Sequence, residues 1–186
     1  RWGNLIAVYQ KIDRILSGYR DITTKAVSHS APAPAWTSLS TGEICFATHI
    51  LGNPVTREDV AAITAVNYHE LCHVMNTPLV LSRKVDESEY FAFNILEDIR
   101  IENQFVKMYP IVGAYFTRMV VRYVIAGCED PDPFVNHVMI EGRSYLPLPL
   151  REAVSRQCAE NYIVQQQDMD EDCKRAQAIV EEYCNL

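Results

Sequence analysis

No stretch of this 186-residue chain approaches the roughly 20 consecutive apolar residues that span a bilayer. Positive charge is short too: 17 Lys and Arg stand against 24 Asp and Glu, for a net charge of −7. That balance argues against a nucleic-acid or anionic-membrane surface as partner. The opening Arg1-Trp2-Gly3-Asn4 lacks the basic-then-apolar layout of a signal peptide. There is no phosphate-binding glycine loop and no Gly-x-Ser-x-Gly elbow, which removes two common catalytic designs. Six cysteines are present, at 45, 72, 128, 158, 173 and 184, but none forms Cys-x-x-Cys, so a zinc ribbon is not expected. Their loose spacing, in a chain long enough to bury a core without staples, favours reduced thiols and a cytoplasmic setting. Histidine is scarce as well, at five residues.

Two of those five stand at i and i+4 in His69-Glu70-Leu71-Cys72-His73. On a helix this spacing stacks both imidazoles on one face, where they can reach a single Zn²⁺. Glu70 beside them can hold a water and take its proton. With so few histidines, a chance His-Glu-x-x-His is on the order of a one-in-a-hundred event. The surroundings read as a long internal helix. Thr56 is an N-cap, and Glu58 and Asp59 place negative charge in the first turn. Ala62, Ala65 and Val66 share the histidine face as small apolar residues, and Thr77-Pro78 marks the end. Cys72 points off that face and reads as a small buried hydrophobe.

A catalytic zinc takes a third protein ligand and leaves a position for water. The source is a second helix expected over about Asp86 to Lys107. Its apolar stripe runs through Phe91, Ile95 and Phe105, with Ile101 at the margin. Asp98 and Glu102 fall within that stripe, and carboxylates on a packing face need a metal or a cationic partner. Asp98 is therefore the candidate third ligand, and Glu102 a candidate acceptor for a ligand imidazole N–H. The other reading pairs both acids with Arg or Lys between helices. Glu97, about 100° away and on the face expected to be exposed, is the alternative ligand; Glu87 and Glu89 lie further out.

These residues resemble a zincin metallopeptidase, in which one helix carries His-Glu-x-x-His and a later helix supplies an acidic ligand. In the gluzincin branch that acid is a Glu followed four residues on by an Asp; Asp98 and Glu102 keep the spacing with the two acids exchanged. The run Phe93-Asn94-Ile95-Leu96-Glu97-Asp98-Ile99-Arg100-Ile101-Glu102 is similar to the predicted metallopeptidases associated with von Willebrand A domains. It is similar also to phage proteins related to the cobaltochelatase accessory subunit. The matched region covers roughly Trp36 to Pro110, and no Asp-x-Ser-x-Ser string of a von Willebrand domain occurs. The resemblance implies a zincin-like arrangement, an active-site helix under a small sheet with a second metal-ligand helix. It implies a zinc-dependent peptidase acting on a peptide or protein, with Glu70 as general base and His69, His73 and Asp98 on Zn²⁺. It also implies, by way of the strand preceding the active-site helix in zincins, that Ile44 to Thr48 forms a sheet edge receiving an extended peptide. The alternative function is a non-catalytic metal-binding module for protein contacts, to which the cobaltochelatase-like resemblance adds an AAA+ ATPase partner.

The remaining pattern gives an α+β, mostly helical class and one expected domain over 1–186. The chain begins at Arg1 and not at a methionine, which leaves room for a longer protein of which this is a piece. Leu5, Val8, Tyr9, Ile12, Ile15, Leu16 and Tyr19 predict an apolar face of an N-terminal helix. Ile22 to Val27 and Gly42 to Thr48 read as strands, separated by a loop over Ser30 to Ala35 with Trp36 at its exit. A hydrophobic helix is expected from Ile111 to about Ala126, then an acidic loop over Glu129 to Pro133. Further helices are expected over Phe134–Ile140, Leu150–Tyr162 and Asp170–Tyr183. Asp168-x-Asp170-x-Asp172 lacks the Gly and Glu of a calcium loop and reads as an acidic helix start. His137, Arg143 and Tyr145 are candidates for stabilising a tetrahedral oxyanion, against ordinary packing roles for each.

Overall fold

The computed structural model describes residues 2–18, 21–28, 33–51, 54–79, 90–125 and 133–153. The chain divides into two compact units, one of Arg1–Val85 with Ala114–Met119, the other of Asp86–Gly113 with Val120–Leu186. The class is α+β and mostly helical, with a three-stranded sheet among the described residues. Among the described residues, no helix is long and apolar enough to cross a membrane.

The first unit begins with α1, Trp2–Leu16. Tyr9 and Asp13 are buried on it and Leu5, Ile12 and Leu16 half-buried, while Val8 and Ile15 are about half exposed, so the expected apolar face is narrower; Tyr19 lies outside the described residues. The inward line is instead one aromatic and one carboxylate, four residues apart. Tyr9 packs its ring 5.7 Å from that of Phe46 and shares a 3.0 Å hydrogen bond with Thr64. Asp13 accepts from the Thr24 hydroxyl at 2.8 Å and from the Asn67 amide at 2.6 Å. These two donors make burial of the carboxylate tolerable.

The sheet has β1 (Thr23–Val27), β2 (Ala35–Ser38) and β3 (Glu43–Ala47) in the order β1-β3-β2. β1 runs parallel to β3 and β2 antiparallel to it. The strands at both ends of the chain's strand-like segments appear as expected, but β3 is the central strand and not an edge. Its backbone groups are engaged on both sides, so Ile44 to Ala47 cannot receive an added peptide strand. Thr48 lies beyond it, in a 3-10 turn over Thr48–Ile50. The described edges are β1 and β2. β2 itself was hidden by the prolines before it: Trp36 sits within a strand, not at a loop exit. β2 and β3 are joined through Gly42, whose φ of 67° suits glycine. A Cβ there would stand 2.9 Å from the Asp21 carbonyl oxygen.

α2, Arg57–Asn76, carries the motif. Its start is a complete capping box: the Thr56 hydroxyl accepts from Asp59 N at 3.0 Å, and the Asp59 carboxylate accepts from Thr56 N at 2.8 Å. Ala62, Ala65 and Val66 are buried as expected, and the helix ends at Thr77. α2 packs against β2, β3 and α1.

In the second unit α3, Tyr90–Met108, packs against α5, Pro133–Glu141. Ile95, Ile99 and Val138 form the shared core. Gly142 allows the approach, since a Cβ would meet Val138 O at 2.9 Å and Ile99 at 3.0 Å. α3 is buried over a broader arc than one stripe: Ile99 and Ile101 are fully buried, whereas Phe91 is 66% exposed. The single helix expected from Ile111 to Ala126 is three windings. A 3-10 turn covers Pro110–Val112, α4 covers Gly113–Met119 and a π-helix covers Val120–Ile125. The loop at 129–132, Glu87, Glu89, Asp168 to Asp172 and the expected helices beyond residue 153 lie outside the described residues. So do Cys128, Cys158, Cys173 and Cys184. Cys45 and Cys72 are buried and neither is in a disulfide.

Candidate metal centre

The motif sits in the last turns of α2, a helix that packs against β2 and β3. His69 and His73 project from one face, with ring centroids 4.9 Å apart and planes at 86°. Both are half-buried. The Nδ1 of His73 lies 3.0 Å from the Thr77 hydroxyl. With Nδ1 protonated and Thr77 accepting, Nε2 keeps its lone pair for a metal, the usual way an outer partner fixes a ligand tautomer. Thr77 thus stands against the His73 ring where Glu102 was the expected partner. In the sequence Thr77, before Pro78, carries only the signal of a helix end.

Glu70, between the two histidines in sequence, is 6% exposed. Its Oε2 accepts a 2.7 Å hydrogen bond from the Thr37 hydroxyl, and the same hydroxyl lies 3.2 Å from the Glu70 carbonyl oxygen. Thr37 stands in the middle of β2, paired with Ile44 of β3. The carboxylate is thus tied to the sheet from a strand that the sequence did not reveal. Cys45, nearby on β3, has its thiol pushed up to about 11 by burial, reinforced by the Glu43 carboxylate, which makes it unreactive at neutral pH. Cys72 is fully buried, in keeping with a small hydrophobe.

The acids of the second unit differ sharply from one another. Asp98 is half-buried. Glu97, expected on an exposed face, is 1% exposed. The wide buried arc of α3 takes it in, and Arg100 makes this possible by binding both oxygens, Nη2 to Oε1 at 2.6 Å and Nε to Oε2 at 2.8 Å. Glu102 is fully buried and takes Arg143 at 2.7 and 3.3 Å and the Tyr145 hydroxyl at 2.5 Å. Of the two roles open to Glu102, the structure shows the pairing with a buried arginine. Burial disfavours the Arg143 charge, but Glu102 and the other nearby acidic groups outweigh it and hold the guanidinium pKa above its ordinary value. Burial, then the Glu102 charge, pushes Tyr145 well above its ordinary range. These two oxyanion candidates are thus parts of a buried network. His137, the third, is buried, and desolvation lowers its pKa despite the Glu141 charge.

The donor set suits zinc: two imidazole nitrogens and a carboxylate oxygen are the protein ligands of many open catalytic zinc sites. Comparison of the chain with protein-family models, with curated proteins and with solved structures gives no match.

Proposed function

We propose that the chain is a zincin-like zinc peptidase, with His69, His73 and Asp98 as the metal ligands and Glu70 as the general base. The observation that carries this reading is the geometry of α2. Two imidazoles share one helix face, one of them with its Nδ1 against the Thr77 hydroxyl, and a buried carboxylate between them in sequence is held by a hydroxyl. A helix that merely packed would have no use for this set. Asp98, on α3, is the carboxylate proposed as third ligand, and two imidazoles with one carboxylate are donor types suited to a single ion. Glu97 is the weaker choice, because Arg100 occupies both of its oxygens.

A zinc ion held there would polarise a substrate carbonyl and acidify a water toward neutral pH. Glu70 would take the proton of the attacking water and pass it to the leaving amine. The substrate class is an extended peptide. The strand suited to receive it is β2, a described edge of the sheet packed on α2, by addition of a further strand. This moves the role that the resemblance gave to Ile44–Thr48 onto Ala35–Ser38.

The test uses the purified full chain. Elemental analysis should give about one zinc per chain, and His69→Ala close to none. Zinc-loaded Glu70→Gln, which keeps the shape but cannot accept a proton, should then serve as a trap. A protein held by the variant and cut by the wild type supports the peptidase. Less than about a tenth of an equivalent of zinc in the wild type, even after reconstitution, removes every metal-based reading. Full zinc with a partner that is held and never cut favours the metal-binding module instead.

A further inference from the structure

A glutamate beside two metal-binding imidazoles has two possible fates. It can coordinate the ion, as carboxylates readily do, and close the site. Or it can be kept off the ion and act on water. Closed sites are structural and open ones catalytic, so whatever decides between these fates decides the kind of site. Nothing in His-Glu-x-x-His itself makes the choice, because a glutamate side chain has three rotatable bonds and reaches several positions.

We propose that Thr37 is a positioning residue that holds the Glu70 carboxylate away from the metal and so keeps a coordination position open. This rests on the reading that His69 and His73 bind a metal. Three features of the first unit carry it. The Thr37 hydroxyl has one proton, and its shortest acceptor is Glu70 Oε2 at 2.7 Å, in the range of a strong O–H···O⁻ bond. The anchor is stiff: Thr37 is β-branched, with few rotamers, and its backbone is fixed opposite Ile44 in the β2–β3 ladder. The carboxylate is 6% exposed, so water competes weakly for it. A hydrogen bond to a charged group under these conditions biases an equilibrium by about tenfold or more. That is enough to decide between two rotamers of one side chain.

The hydroxyl is what matters, so valine, which has the same shape and suits a strand, is the informative replacement. The experiment loads the full chain with Co²⁺ and follows its visible spectrum while acetohydroxamate is added to occupy the open position. Wild type and Thr37→Ser should bind the hydroxamate alike. Thr37→Val should bind it at least about tenfold more weakly, and hold zinc more tightly against a chelator, as Glu70 takes the vacated position. Adding Glu70→Gln to Thr37→Val should restore hydroxamate binding, because a carboxamide is a poor ligand for the ion. Thr37→Ala, read in the same way, serves if circular dichroism shows that valine disturbs the strand. Hydroxamate affinity of Thr37→Val and Thr37→Ala within about twofold of wild type, at full Co²⁺ occupancy, overturns the proposal while leaving the metal site intact. Failure of the wild type to take up Co²⁺ would instead remove the metal reading, and this inference with it.

Discussion

Asp13 offers a stability experiment whose sign runs against the usual behaviour of a carboxylate. It is fully buried, and desolvation raises its pKa from 3.8 to about 6, with the Asn67 and Thr24 hydrogen bonds offsetting only part of the effect. In the unfolded chain it titrates near its ordinary value. Between about pH 4 and pH 6 the folded protein therefore holds a proton that the unfolded chain has released. The unfolded state binds fewer protons there, so stability falls as pH rises across this window. The gap of about two pH units corresponds to about 3 kcal/mol, present below about pH 4 and gone above about pH 6. Asp13→Asn cannot ionise and removes this dependence. Urea unfolding of both proteins at steps from about pH 4 to pH 7 isolates it, because every other titrating group cancels in the difference. The stability of Asp13→Asn relative to wild type should improve by about 3 kcal/mol over that range, whatever its offset at low pH. A difference that stays flat to within about 1 kcal/mol would mean that Thr24 and Asn67 stabilise the carboxylate as well as water does, so that its burial carries no charging penalty. Asn67 lies on α2 two residues before His69, so this buried contact also fixes the motif helix against α1.

The buried Arg143–Glu102 pair should behave asymmetrically. Arg143→Ala leaves Glu102 charged and buried and should lose about 3–5 kcal/mol in urea unfolding, whereas Glu102→Leu with Arg143→Met should recover most of it; a loss under about 1 kcal/mol for the single change would argue against a buried charge there. Asp98→Ala should abolish zinc binding while Glu97→Ala keeps it, since Arg100 already holds both Glu97 oxygens; the reverse pattern in elemental analysis would transfer the ligand role to Glu97.

Local signals determined what could be read from the chain alone. Thr56, Asp59 and Thr77-Pro78 bound α2 because caps act within three or four residues of one another. The i, i+4 spacing put His69 and His73 on one face for the same reason: helix geometry is fixed by the backbone, not by the fold. The strand character of Ile44 to Ala47 was equally local. Its position in the sheet was not, because pairing joins residues far apart in sequence, and only the tertiary structure made β3 central and β2 an edge. Prolines at 32 and 34 give a turn signal that masks the short strand beginning at Ala35.

Burial of charge was the other decision left to the tertiary structure. Periodicity placed Glu97 toward water because it assumes one buried stripe, and α3 is buried over a wider arc. A carboxylate enters such an arc only where a partner waits, as Arg100 does for Glu97, Arg143 for Glu102, and Thr24 with Asn67 for Asp13. Two of those partnerships span dozens of residues of sequence, as does the bond from Thr37 to Glu70. The sequence thus held every group of the candidate site except the ones that orient it. A helix can set the spacing of its own side chains, but the hydroxyl from which Glu70 accepts is brought to it by β2, through pairing of residues far apart in sequence.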